Sequence, residues 1–293
     1  MKNHSFKQWL GTAAIAAGLT VGTLGCAQAA DDTIEFGWTA WSDAEFVTKL
    51  AKQLIEEHTD YDVKLTLSAI GVQYQGVANG DLDAMLMAWL PDTHADYMER
   101  VKDDVENLGT IYEGARLGWV VPDYIPEDQL ASIEDLKKEA VQEKLDGKIQ
   151  GIDPGAGLMQ LSDTTIDDYG LDEYRLVSAS GAAMTAALAR AEKREEWIVV
   201  TGWTPHWMFG RWDLRFLDDP NGTLGEAQHV DVIARKGFES DYPEVAAFLS
   251  NYKLELEELQ AAMYEAQESS YEEAIQTYID EHPDQIEGWF EAG

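Results

Sequence analysis

Three tryptophans occupy the same kind of position in the chain, close behind a short apolar segment and next to a turn. Trp41 follows the segment at 33–38, Trp89 follows the segment at 83–88, and Trp203 follows a third one. Core tryptophans belong in mid-strand or on helix faces, whereas the ends of parallel strands are where open α/β sheets bind ligands. For one tryptophan alone, core packing is the simpler interpretation. Its recurrence at three strand ends favours a ligand site.

Several indole faces that meet in a cleft form an aromatic cage, which binds quaternary ammonium groups. Such a cation has no N–H to donate, so hydrogen bonds cannot recognise it, but the π-face of an aromatic ring can. Each ring contributes about 0.5–2 kcal/mol, so three rings offer roughly 2–6 kcal/mol. The tryptophan pattern therefore predicts non-covalent binding of a methylated cation.

A glycine-rich segment, Gly-Ile-Asp-Pro-Gly-Ala-Gly-Leu-Met at 151–159, predicts a complementary anion site. A strand ends there and a helix begins, so the first amides of the helix point outward and can bind an anion. The segment matches neither the P-loop nor the dinucleotide-binding fingerprint. Because no basic residue lies nearby in sequence, a small carboxylate fits better than a phosphate. A cation cage and an anion site together describe a zwitterion such as a betaine.

Composition excludes several classes of partner. The 293 residues carry 55 acidic and 21 basic side chains, a formal net charge of -34. Such a surface repels nucleic acids and anionic lipids. A hydrophobic content of 45% with ten tryptophans argues against disorder. The single cysteine, Cys26, excludes a disulfide framework.

The first 29 residues have the pattern of a signal peptide. Lys2 and Lys7 form a basic start, an apolar stretch follows, and Ala-Gln-Ala at 27–29 is a cleavage pattern. We therefore expect a periplasmic or otherwise extracytoplasmic protein. Leu-Gly-Cys ending at Cys26 resembles a lipoprotein box, but Thr23 departs from that pattern, so the soluble form is favoured over a lipid anchor.

Strands and helices alternate along the rest of the chain, which predicts mainly parallel sheets with helices on both faces. Ser42 or Asp43 is expected to cap the first helix, and Asp92 or Thr93 a later one. The apolar run at 117–122 is interpreted as a crossing into a second lobe. The predicted strands are 33–38, 62–67, 83–88, 148–152, 197–201 and 230–235, and the predicted helices 43–57, 72–79, 132–145, 158–169 and 182–195.

Four motifs together resemble the substrate-binding protein of an ABC importer for glycine betaine and related compatible solutes, over essentially the whole chain after the signal peptide. They are Thr-Ala-Trp-Ser at 39–42, Ala-Trp-Leu-Pro-Asp-Thr-His at 88–94, the glycine-rich segment at 151–157, and Thr-Gly-Trp-Thr-Pro-His-Trp-Met-Phe at 201–209.

The resemblance implies a role for six residues. Trp41, Trp89 and Trp203 would surround the trimethylammonium group. The backbone amides of Gly157 and Leu158 would bind the carboxylate. The side chain of His94 would add a further donor.

The resemblance also implies the fold: a two-lobed, Venus-flytrap α/β protein of type II. The first lobe is predicted to hold residues 30–117 and 238–293, and the second 118–237. We expect a monomer that is not an enzyme, has no cofactor or metal, and contacts the membrane through an ABC permease. Trp119 departs from the family pattern, which more often has an aliphatic residue there, and is interpreted as hinge packing or an altered wall of the site.

Two other functions stay open at this stage. An exported hydrolase or metalloenzyme could use Asp92, His94 and Asp96, although residues two apart on a helix point to different faces. A ligand-sensing lobe could feed a receptor instead of a transporter. The residues do not distinguish glycine betaine from proline betaine, carnitine or dimethylsulfoniopropionate.

Overall fold

The computed structural model describes residues 33–291. The predicted signal peptide at 1–29 and the possible lipid anchor Cys26 lie outside the described residues. None of the described helices is both long and apolar enough to cross a membrane.

Nine strands lie in the described range, and each of the predicted strands corresponds to one of them. β1 and β2 have the predicted bounds, because their alternating and apolar patterns are bounded by polar turns. The strands are β1 Thr33–Trp38, β2 Asp62–Leu67, β3 Ala84–Leu90, β4 Val105–Pro122, β5 Lys148–Gln150, β6 Arg175–Val177, β7 Val200–Thr204, β8 Leu214–Phe216 and β9 Gln228–Arg235.

Twelve α-helices and one 3-10 helix, Ile133–Lys137, connect these strands within residues 33–291. They are α1 Ser42–His58, α2 Ile70–Asn79, α3 Ala95–Val101, α4 Glu139–Leu145, α5 Gly157–Tyr169, α6 Gly181–Arg194, α7 Met208–Arg211, α8 Phe238–Asp241, α9 Pro243–Asn251, α10 Leu256–Glu268, α11 Tyr271–Glu281 and α12 Pro283–Phe290.

The predicted caps of α1 and α3 are wrong. The residue before α1 is Trp41 and the residue before α3 is His94, and neither cap position makes a side-chain capping bond. Two of the four side chains expected to cap, those of Asp43 and Thr93, have long-range partners instead. Asp43 binds Tyr112 and a tryptophan, and the hydroxyl of Thr93 donates to Gln228. Tertiary contacts therefore replace the local caps at both helix starts.

The strands form a mixed sheet in the order β2-β1-β3-β9-β4-β7-β5-β6, with β8 on β4. The pairs β1–β2, β1–β3, β5–β6 and β5–β7 are parallel, as the alternation of strands and helices predicts. The pairs made by β9, and those of β4 with β7 and β8, are antiparallel. The sheet is thus parallel on its outer sides and antiparallel in the middle.

Strand β4 divides this sheet into two segments. Its residues from 105 to 115 pair with β9, and its residues from 116 to 122 pair with β7 and β8. We call β2, β1, β3, β9 and the first part of β4 the first sheet segment, and the remaining strands the second sheet segment. The change of partner falls next to the predicted crossing at 117–118.

The division into lobes at these residues stays a prediction. Helices α10 and α11 pack on α1, which fits the assignment of 238–293 to the first lobe. Strand β9 falls in the predicted second lobe, but it pairs with β3 of the first sheet segment. Its hydrogen bonds therefore favour a second boundary before residue 228 instead of at 237.

Candidate functional site

All six residues expected at the site line one cavity, which has an empty volume of about 280 Å³. They come from strand ends, from the residues just after them and from the start of α5. The first and last of the six, Trp41 and Trp203, are 162 positions apart in sequence and meet only in the folded chain. The full lining is Trp41, Trp89, Thr93, His94, Leu117, Ile152, Ala156, Gly157, Leu158 and Trp203.

The three indoles are buried walls of this cavity. Trp41 is 7% exposed, and Trp89 and Trp203 are each 3% exposed. Trp41 precedes α1, whereas Trp89 and Trp203 are each the next-to-last residue of their strand, β3 and β7. Their strand-end position is as predicted, but the surrounding elements cover them more fully than an exposed turn would.

His94 presents an unpartnered donor at the cavity. Its Nδ1 accepts the backbone N–H of Trp89 at 3.1 Å, so the neutral imidazole carries its proton on Nε2. That Nε2 is buried and has no hydrogen-bond partner among the described residues. Burial lowers the pKa of His94 to about 3, so the ring stays neutral near pH 7. An orphaned N–H of this kind costs free energy unless a ligand accepts it.

The start of α5 brings two more donors to the same cavity. Within the described residues, the amides of Gly157 and Leu158 donate to no protein acceptor, as the first amides of a helix do. A side chain at position 157 would not fit, because an added Cβ would lie 2.2 Å from the carbonyl oxygen of Thr93. Glycine at this position therefore lets α5 approach the first sheet segment closely.

A buried carboxylate, Asp43, lies behind the cage. It accepts the indole N–H of Trp203 at 3.0 Å and the hydroxyl of Tyr112 at 2.9 Å. Burial raises its pKa to about 6, against the lowering effect of those two hydrogen bonds. The sequence pattern does not predict Asp43 or Tyr112 as supports of the site. The one sequence signal concerns Asp43, which lies two positions after Trp41.

Three further hydrogen bonds cross the site between the sheet segments. The indole N–H of Trp41 donates to Asp153 at 3.2 Å, in the glycine-rich turn. The hydroxyl of Tyr97 donates to the carbonyl of Gly155 at 2.7 Å and accepts from Gln160 at 2.9 Å. The two sheet segments are therefore joined by hydrogen bonds around the cavity.

Trp119 is a packing residue and not a wall of the cavity. It is fully buried, and its indole N–H donates to the hydroxyl of Ser162 at 2.9 Å, on α5. Leu117, two residues earlier, lines the cavity and pairs with Trp203 in the sheet. Of the two interpretations offered for Trp119, packing is the one that the contacts support.

The residues of the enzyme alternative do not converge. His94 is buried at the cavity, whereas Asp92 and Asp96 are exposed. Among residues 33–291 no cluster of three or more His, Cys, Asp or Glu side chains is placed to hold a metal ion.

Comparisons with known proteins identify the family of this chain. Residues 32–281 match the family described as the substrate binding domain of ABC-type glycine betaine transport systems. Among curated proteins, the glycine betaine/carnitine transport binding protein GbuC of Listeria monocytogenes is 41% identical over 158 residues, which are 53% of this chain and 52% of that protein. The match thus spans about half the length of this relative. The glycine betaine-binding periplasmic protein OusX of Dickeya dadantii is 25% identical over 86% of both chains.

Solved structures confirm the predicted two-lobed α/β fold. Lactococcal OpuAC, closed with glycine betaine, superposes with a TM-score of 0.82 at 36% identity, covering 89% of this chain and all of that one. A choline-binding protein in complex with choline has a TM-score of 0.80 at 26% identity, with 88% and 91% covered. The predicted resemblance is therefore confirmed, and the chain belongs to the family of substrate-binding domains of ABC-type glycine betaine transport systems.

Proposed function

We propose that this protein binds glycine betaine, or a related methylated zwitterion, in the cavity between its two sheet segments and delivers it to an ABC permease. One observation carries the proposal. Three indoles, the orphaned Nε2–H of His94 and the free amides that begin α5 line the same cavity. This set of groups suits a ligand with a methylated cation at one end and a carboxylate at the other.

The groups present can account for a useful affinity. Three aromatic rings at about 0.5–2 kcal/mol each, and two or three charge-assisted hydrogen bonds at roughly 1.5–3 kcal/mol each, approach the ~8 kcal/mol of micromolar binding before ordering costs. The apolar cavity also excludes water, which strengthens both kinds of contact.

The carboxylate contacts favour a zwitterion over a simple cation. Choline offers a hydroxyl where betaine has a carboxylate. It would leave the charge-assisted bonds to His94, Gly157 and Leu158 unmade. We therefore expect betaine to bind more tightly than choline. Leu117 and Ile152 complete the lining with aliphatic surface, which leaves the choice among betaines and sulfonium analogues to the fit of the methylated group.

Ligand binding would favour the closed arrangement. Trp41, Trp89 and His94 lie on the side of the first sheet segment, and α5 and Trp203 on the side of the second. A ligand that contacts both sides stabilises the state in which they meet, and so shifts the population towards it. The closed form would then dock on the permease and release the ligand for import.

Assignment to this family confirms that the chain is a binding protein and not an enzyme. Delivery to a permease and export by the signal peptide at 1–29 are part of our proposal. The alternative, delivery to a receptor, predicts that transport vesicles holding the cognate permease will show no import when the protein is added.

The decisive experiment is a calorimetric titration of the mature protein with glycine betaine, choline and dimethylsulfoniopropionate. Micromolar binding of betaine with much weaker binding of choline would support both the cage and the carboxylate site. Tighter binding of the sulfonium compound would keep the mechanism and change the substrate. If none of the three ligands binds, the proposed function is wrong.

A further inference from the structure

A second cavity lies beside the first and shares two of its tryptophans. It has an empty volume of about 610 Å³, and both Trp41 and Trp203 line it. We call it the outer cavity. The lining residues that it does not share with the first cavity include Ser42, His206, Trp207 and Tyr271.

His206 also lines the outer cavity, although its Nε2, unlike that of His94, is not a buried atom without a partner. Its Nδ1 accepts the backbone N–H of Met208 at 3.1 Å, so the neutral ring carries its proton on Nε2. No acceptor for that Nε2–H is found among the described residues. The side chain is 2% exposed, and burial lowers its pKa to about 3, so it remains a neutral donor.

Ser42 supplies a second, independent indication of a ligand. It is 8% exposed, and its hydroxyl oxygen is buried without a hydrogen-bond partner in the described part of the chain. A buried hydroxyl left without a hydrogen bond costs free energy that a bound acceptor would recover. Helix α6 also begins at this cavity. Within residues 33–291 the amides of Gly181 and Ala182 donate to no protein acceptor.

The outer cavity also has aromatic surface for a cation. Trp207 and Tyr271 line it together with the two shared indoles. The ammonium of Lys49 lies 4.7 Å from the ring centroid of Tyr271, so one face of this ring already contacts a cation. Lys49 is paired with Glu45, a further lining residue, so its charge is compensated.

From these groups we infer that the outer cavity is a second, weaker binding site for a methylated zwitterion. The ligand's carboxylate would accept from His206, Ser42 and the start of α6, and its cationic end would lie against Trp207 and the shared indoles. The inference rests on the proposed function, because it assigns the same ligand class to a neighbouring site. We expect the outer site to be the weaker one, because its empty volume is larger, about 610 Å³ against about 280 Å³, and because Trp207 in its aromatic wall is only partly buried.

Occupancy of the outer cavity should strengthen closure. Ser42 and Tyr271 lie on the side of the first sheet segment, and His206 and Trp207 on the side of the second. A second ligand would therefore stabilise the same contact between segments as the first, and the two sites should bind with positive coupling. This would retain the transported ligand longer when its external concentration is high.

Equilibrium dialysis of the mature protein with radiolabelled glycine betaine, from micromolar to tens of millimolar, tests the inference. We expect two molecules per chain, the second bound roughly a hundredfold more weakly than the first. Ser42→Ala and Trp207→Ala should each abolish the second step and keep the first. Trp197→Ala is a matched control, because Trp197 lines neither cavity and lies under Lys144 at 3.9 Å.

Saturation at one molecule per chain would overturn the second site and leave the proposed function standing. A second step that survives both Ser42→Ala and Trp207→Ala would also overturn it, since binding would then occur elsewhere. Absence of both steps in the unaltered protein would overturn the proposed function as well.

Discussion

The indole N–H of Trp203 donates to the carboxylate of Asp43 over 3.0 Å, joining residues 160 positions apart. The other oxygen of Asp43 accepts from Tyr112, whose ring meets Trp89 edge-on at 6.4 Å between centroids. One buried carboxylate thus orients two walls of the cage. It also places a negative charge close behind the position proposed for the cation.

We predict that betaine affinity rises with pH through the titration of Asp43, and that Asp43→Asn removes this dependence. Burial raises the pKa of this carboxyl from 3.8 to about 6, so the side chain is mostly neutral at pH 5 and charged at pH 7. The charged form attracts the ligand's cation, at an effective dielectric of ~20, by roughly 1–2 kcal/mol. Calorimetric titrations at pH 5, 6 and 7 would measure the effect.

The same shift affects folding with the opposite sign. Because the pKa of Asp43 is raised in the folded state, its protonation stabilises the fold below about pH 3.8, and this contribution is lost as the pH rises through 6.

Identical pH profiles of betaine affinity for the unaltered protein and Asp43→Asn would contradict the prediction on binding.

Trp89→Ala should weaken betaine binding by well over tenfold. The substitution removes one cage face and leaves a void in a wall that is 3% exposed. Trp197→Ala serves as the control for loss of a tryptophan outside the cavity. Calorimetry would measure both, and near-unchanged affinity in Trp89→Ala would rule out the cage.

Gly157→Ala should abolish tight binding by blocking closure. The added Cβ would lie 2.2 Å from the carbonyl oxygen of Thr93, a backbone atom that cannot rotate away. Gly288→Ala is the matched control, since a Cβ there meets nothing within 4 Å. Small-angle scattering with saturating betaine should show a larger radius of gyration for Gly157→Ala alone. Compaction equal to that of the control would show that this contact does not limit closure.

His94→Phe should weaken betaine binding much more than choline binding. Phenylalanine keeps a ring beside Trp41 and Tyr74 but lacks the Nε2–H proposed to bind the carboxylate. The substitution also removes the acceptor of the Trp89 N–H, but that loss affects both ligands equally. The ratio of the two affinities, measured by competition, therefore isolates the carboxylate contact. An unchanged ratio would remove His94 from the carboxylate site.

The sequence by itself determined the local elements and most of the candidate site. Apolar periodicity predicted β1 and β2 with their bounds, and the positions of Trp41, Trp89 and Trp203 behind apolar segments predicted a shared site. The glycine-rich turn identified the start of α5. These features are readable because strand and helix patterns, and the turns between them, depend on neighbouring residues.

Only the tertiary structure decided which distant residues support that site. The hydrogen bonds of Asp43 to Trp203 and Tyr112, the burial of Trp119 against Ser162 and the pairing of β9 with β3 join residues far apart in the chain. No local pattern encodes these pairings, because they arise only when the strands assemble into one sheet. For the same reason Asp43, which as a local residue would be a helix cap, became the carboxylate behind the cage.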